Sequence, residues 1–200
     1  MVNKKSKSWI IKKHRDPFFK QAKVTGYRSR AVYKLIEIHN RFKILKPNSN
    51  LADLGAAPGG WSQLASEKIR NGKILAVDIK DIQPIKNVKF IKKDFNLAET
   101  QEEIARFFDN KIDIIVSDMA ADTTGNKDLD CIRTNGLTLD VLSFGKKYLK
   151  PGGHLVAKLF MGTDFDLVQQ NAKKNFKKIH FFNPEASKRE SKETYIVCLK

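Results

Sequence analysis

Lys158 stands in the middle of an apolar run, Leu155, Val156, Ala157, Lys158, Leu159 and Phe160, within "GGHLVAKLFMG" at residues 152–162. An ammonium group in a buried strand is costly unless it is paired, reaches a cleft or gives up its proton. A neutral lysine amine in such a place can act as a general base. The strand-like run before it, "IDIIVSDMA", carries Asp118 at its end. If the two runs are neighbours in a sheet, Lys158 and Asp118 come together. Burial favours the neutral amine of any lysine, and an adjacent carboxylate favours its ammonium. A proton acceptor, a structural ion pair and a lysine snorkelling from an edge strand all remain open on these residues alone.

Asp118 is one of four acids placed at the ends of strand-like runs, with Asp53, Asp78 and Asp94. One such acid is more often a turn or cap residue. Four in series suggest a ligand edge, because open α/β sheets bind ligands beyond the carboxyl ends of their strands. The first run turns through "DLGAAPGGW", where Gly55 and Gly59 allow the backbone to approach a ligand closely. The spacing is neither G-x-G-x-x-G nor a P-loop. No basic residue lies between Asp53 and Glu67, so a pyrophosphate ligand is disfavoured. An adenosine carrying a small amino-acid group fits better, and S-adenosylmethionine is the expected cofactor. Asp78 would accept from the ribose hydroxyls, Asp94 from the adenine amino group, and Asp118 would face a cationic part of the ligand.

These groups need elements to place them. Residues 29–43 have a helical pattern, with Ala31, Leu35, Ile38 and Phe42 on one face and Lys34, Glu37 and Arg41 on the other. Strand and helix patterns then alternate. The strands are "NLADLG", "KILAVDI", "VKFIKKDF", "IDIIVSDMA", "HLVAKLF", "KIHFFN" and "TYIVCLK". The helices between them are "GGWSQLASEKI", "ETQEEIARFFD", "CIRTNGLTLDVLSFGKKYL" with a Pro-Gly-Gly stop, and "TDFDLVQQNAKKNF" capped by Thr163 or Asp164. Such alternation predicts an α/β, Rossmann-like fold: a mostly parallel sheet of about seven strands. Only "ASKRESKE" joins the last two strands, too short for a helical crossover, so the last strand is expected to be antiparallel.

The chain has 200 residues, enough for one core, and a formal net charge of +16. Residues 1–30 hold ten basic residues and one acid, interleaved with Trp9, Phe18, Phe19 and Tyr27. That localised charge with aromatics suits RNA contact. The expected division is a basic RNA-binding extension at 1–28 and a catalytic domain at 29–200. Cys131 and Cys198 match no metal-ligand spacing, and no metal is expected. No apolar run reaches the length of a membrane span, and a reduced, cytoplasmic setting is expected.

Six stretches, "RSRAVYKLIEI", "DLGAAPGGWSQ", "VDI", "SDMA", "GGHLVAKLF" and "ASKRESKETYIV", in this order resemble the heat-shock-associated ribosomal RNA methyltransferases. These bacterial enzymes methylate a uridine ribose 2′-hydroxyl in the A loop of 23S rRNA. The resemblance runs from about Trp9 to Leu199 and implies that the α/β sheet is the Rossmann-like fold of S-adenosylmethionine-dependent methyltransferases. It implies a lysine–aspartate–lysine–glutamate tetrad of Lys34, Asp118, Lys158 and Glu193, and donor-binding positions at Gly59, Trp61, Asp78, Asp94 and Asp118. Without it, Lys34 reads as a polar-face lysine, Glu193 as a strand-entry carboxylate and Trp61 as core. It also implies 23S rRNA or the large ribosomal subunit as partner, and a monomer. Rival expectations are the same chemistry on tRNA or an mRNA cap, and a non-catalytic ribosome-assembly factor of this fold. The chain departs from the family pattern at Ala121 and Asp122, where Pro-Asn is common, in "FMGTDFD" for "FQGEGFD", and at Lys188 for arginine.

Overall fold

A computed structural model of the chain describes residues 16–109, 111–188 and 191–200. The basic run 1–15, with Trp9, lies outside the described residues. Seven strands form one sheet: β1 Leu51–Leu54, β2 Ile74–Asp78, β3 Val88–Lys92, β4 Ile112–Ser117, β5 Leu149–Phe160, β6 Lys178–Phe182 and β7 Glu193–Leu199. Their order is β3-β2-β1-β4-β5-β7-β6. The first five are mutually parallel, and β7 runs antiparallel to both its neighbours. The sheet is therefore the expected one, with a feature the linker length did not predict: β7 slots between β5 and β6.

Helices cover both faces. α1 Pro17–Val24, α2 Val32–Phe42 and α3 Gly60–Lys68 lie on one side, α4 Ala98–Phe107, α5 Lys127–Tyr148 and α6 Phe165–Asn175 on the other. Each buried strand feeds both cores by alternation. In β5, Leu155, Ala157 and Leu159 enter the α4–α6 core, while Val156 enters the α1–α3 core. Period two then puts Lys158 on the Val156 side. In β7 the same rule sends Ile196 and Cys198 one way and Tyr195 and Val197 the other. Each fully buried aliphatic side chain of these cores contributes roughly 1.5–3 kcal/mol.

The structure differs from the sequence expectation in four places. α1 is a helix inside the segment read as a basic extension. Asp16 caps it, its side chain accepting from the Phe19 N–H at 3.2 Å, and Pro17 occupies the first turn. α2 begins at Val32 rather than Ser29, so 25–31 is a connector. α5 begins at Lys127, capped by the Asn126 side chain. That helix ends at Tyr148, with Pro151 two residues past its C-cap Leu149 as a stop requires, but Pro151-Gly152-Gly153 lies within β5 rather than in a loop. The β4–β5 register shifts there between Ile112 and Ile114, and a bulge tolerates the missing proline N–H. Asp164 is the α6 N-cap, as expected, without a side-chain cap bond.

Candidate active site

β4 and β5 are neighbours, with Ser117 opposite Ala157. Asp118 and Lys158 therefore leave adjacent strands side by side. Lys158 Nζ lies 3.1 Å from Asp118 Oδ1 and donates to the Asp118 backbone carbonyl at 2.6 Å. From the facing helix α2, Lys34 Nζ reaches Glu193 Oε1 at 2.7 Å and stands 3.8 Å from Asp118 Oδ1. Ser187 Oγ donates to the same Glu193 oxygen at 2.8 Å. Lys34, Asp118, Lys158 and Glu193 thus form one cluster. Lys34 is 9% exposed, so its reading as a polar-face residue is corrected: the β7 side of the sheet covers that face of α2.

Tyr195, which sequence reasoning missed, completes the cluster. Its hydroxyl donates to Asp118 Oδ1 at 2.5 Å and accepts from Lys34 Nζ at 3.0 Å. It pairs with Lys158 across β5 and β7. The signal was in the sequence: Glu193 and Tyr195 are two apart in a strand and so share a face. Burial alone would raise the Asp118 carboxyl, but the Lys158 and Lys34 cations and the Tyr195 hydroxyl outweigh it and hold Asp118 below the usual range. Burial, then the Asp118 and Glu193 charges, push the Tyr195 hydroxyl well above its ordinary value, so it stays protonated.

Asp118 also lines a cleft with Asp53, Trp61, Gly55 to Pro58 and, from the connector before α2, Ser29 and Ala31. Gly55 takes φ +75°, and a Cβ there would meet Met119 Cγ at 2.1 Å. Gly59, at φ +104°, caps α3. Trp61 both packs and lines: it is 3% exposed, and its indole N–H donates to the Ala31 carbonyl at 2.7 Å. Asp53 is not at a strand end but within β1, buried, and accepts from Ser62 Oγ at 2.6 Å. Burial pushes its carboxyl up to about 7, with Asp118 and Asp78 adding to the rise and Ser62 opposing it.

Asp78 and Asp94 stand apart from this lining, at the same edge of the sheet. Asp78 closes β2 and accepts from the Ala57 and Lys80 N–H groups, each at 2.8 Å, so it braces the glycine turn. Asp94 is exposed just beyond β3 and accepts from the Asn96 N–H at 2.9 Å. Among the described residues, no group of three or more His, Cys, Asp or Glu side chains is placed to hold a metal.

Residues 27–200 match the FtsJ-like methyltransferase family. The chain belongs to that family. This FtsJ-like methyltransferase is 44% identical over 196 residues to the ribosomal RNA large subunit methyltransferase E of Pelagibacter ubique, covering 98% of this chain and 97% of that protein. It is likewise 44% identical over 200 residues to the protein of that name in Rickettsia akari, covering 97% and 88%. Among solved structures it is similar to a Plasmodium falciparum protein described as a ribosomal RNA methyltransferase. That likeness has a TM-score of 0.78 and 34% identity, over 87% of this chain and 98% of the other. A methyltransferase needs a methyl donor and an acceptor. In this FtsJ-like methyltransferase the cleft and the lysine cluster are contiguous through Asp118, which belongs to both.

Proposed function

We propose that the protein transfers a methyl group from S-adenosylmethionine to the ribose 2′-hydroxyl of a uridine in the A loop of 23S rRNA, on the large ribosomal subunit. The observation that carries this reading is the Lys158–Asp118 pair at the rim of a cleft whose lining includes two carboxyl groups, Asp53 and Asp118, and no basic side chain. Such a lining suits a cationic ligand and repels a polyphosphate. Gly55, Gly59 and Trp61 would hold the donor, with Asp78 and Asp94 at its ribose and base and Asp118 near its cationic centre. S-adenosylmethionine supplies, when bound, a sulfonium methyl group open to attack by an oxygen nucleophile.

The chain's own residues handle the acceptor. Lys158, in its neutral form, takes the proton from the 2′-oxygen. Asp118 orients that amine and balances the ammonium that results. Lys34, held by Glu193, places a second cation beside the ribose, where negative charge develops on the oxygen. Alignment of nucleophile and methyl carbon supplies much of the acceleration. The names of the relatives from Pelagibacter and Rickettsia support a large-subunit RNA as acceptor. No helix among the described residues is long and apolar enough to cross a membrane. A cytoplasmic site of action goes with ribosomal RNA as the acceptor.

Lys158→Met should abolish transfer of labelled methyl groups to large-subunit RNA while calorimetry still records donor binding. Near-normal turnover in that variant would sink the assignment. Ribose-methylation mapping in a deletion strain identifies the acceptor. Loss of methylation at the A-loop uridine is expected. A fully methylated A loop with a missing methyl on tRNA would redirect the reading, and no missing methyl at all would point to an assembly factor.

A further inference from the structure

We propose that Tyr195 is a positioning residue for methyl transfer, its hydroxyl fixing the Asp118 carboxylate and the Lys34 ammonium so that Lys158 can meet the acceptor oxygen. This rests on the proton-transfer reading above and adds a residue outside the group of four. Tyr195 is wholly buried. A core tyrosine without a task ordinarily meets a backbone carbonyl or water; here both partners are ionisable side chains of the site. An ammonium can only donate and a carboxylate only accept. The single hydroxyl proton therefore goes to Asp118, and the oxygen receives Lys34. The ring cannot swing away, since it packs on Trp61 at 5.8 Å between centroids and its backbone is paired to Lys158.

The consequence falls on one oxygen. Asp118 Oδ1 receives the Tyr195 hydroxyl and Lys158 Nζ, with Lys34 Nζ at 3.8 Å. Among the described residues no protein group bonds to Oδ2, while Asp118 lines the cleft. Tyr195 thus ties down one edge of the carboxylate and leaves the other for ligand. The ionisable groups around Asp118 are Lys34 from α2, Lys158 from β5, Glu193 and Tyr195 from β7, and Asp53 from β1. Removing the hydroxyl deletes one donor and leaves the rest, so Asp118 becomes easier to protonate.

Tyr195→Phe keeps the ring and its packing. Its single-turnover rate should fall about 10–100-fold, with donor and RNA affinities unchanged, and the acid limb of its pH–rate profile should move to higher pH. Replacing Tyr195 by 3-fluorotyrosine, which keeps the hydroxyl and makes it a stronger donor, should move that limb to lower pH. This second variant serves even if the first folds poorly. An unmoved acid limb in both, or a rate loss matched by an equal loss of affinity, would overturn the inference. Lys158→Met run alongside separates the two readings. If it is inactive while Tyr195→Phe keeps full rate, only the role of Tyr195 falls; if it is active, the proton-transfer assignment falls and this inference with it.

Discussion

Asp53 and Asp118 line the same cleft and respond oppositely to burial. Asp118 is surrounded by Lys158, Lys34 and Tyr195 and stays below the usual carboxylate range. Asp53 has only Ser62, through its hydroxyl and its backbone N–H, to offset its burial and rises to about 7. Folded Asp53 therefore keeps its proton to near neutrality, while the unfolded chain releases it near 3.8. Between those values the folded state binds more protons, so the stability Asp53 contributes is full at low pH and is lost as pH rises toward 7. Thermal midpoints should thus fall more steeply from pH 5 to 8 in the parent than in Asp53→Asn; parallel curves would reject this. Lys158 and Asp118 were legible because a charge in an apolar strand violates the pattern around it. Lys34 was not. Helical periodicity reports the stripe that meets the sheet, and says nothing of a second cover arriving from β7.

Two connections decide whether these side chains meet. Gly55 turns the chain from β1 toward α3 at a φ that L side chains rarely adopt, against Met119. Gly55→Ala should weaken donor affinity and lower stability by more than about 1 kcal/mol; calorimetry and melting check both. The turn before β7 is held from outside. Glu37 on α2 accepts from the N–H groups of Glu185 and Ala186 at 2.7 and 2.9 Å. Arg30 joins the same turn, donating to the Ala186 carbonyl and pairing with Asp16. Glu37→Ala should cost about 1–3 kcal/mol and slow methyl transfer, because Ser187 and Glu193 follow in the same stretch. Faster amide exchange over 185–188 is the expected signature, and unchanged protection would refute it. The sequence showed that β6 and β7 are antiparallel, since a short polar link permits nothing else. It did not show β7 entering between β5 and β6, because that pairing joins segments far apart in the chain. Helix α1 was hidden by its own lysines, although Asp16 and Pro17 carried its start signal.

At the scale of the whole molecule the charge is lopsided. Residues 1–15 hold six basic residues, Lys4, Lys5, Lys7, Lys12, Lys13 and Arg15, and no acid. Affinity for large-subunit RNA should fall steeply with salt, and changing these six to glutamine should reduce the log–log slope by up to about 4–5. An unchanged slope in filter-binding titrations would show that the segment does not engage phosphates. The sheet order carries a different consequence, one of timing. β7 follows every other strand in the chain yet sits between β5 and β6. Until it emerges during synthesis, β5 and β6 must wait a strand's width apart with open edges, and neither Glu193 nor Tyr195 is present to meet Lys34. β7 also supplies both cores, Ile196 and Cys198 to one and Tyr195 and Val197 to the other. Without that one strand Lys34 loses both its Glu193 and its Tyr195 partner, so the cluster around Asp118 is closed by the last of the seven strands to be made.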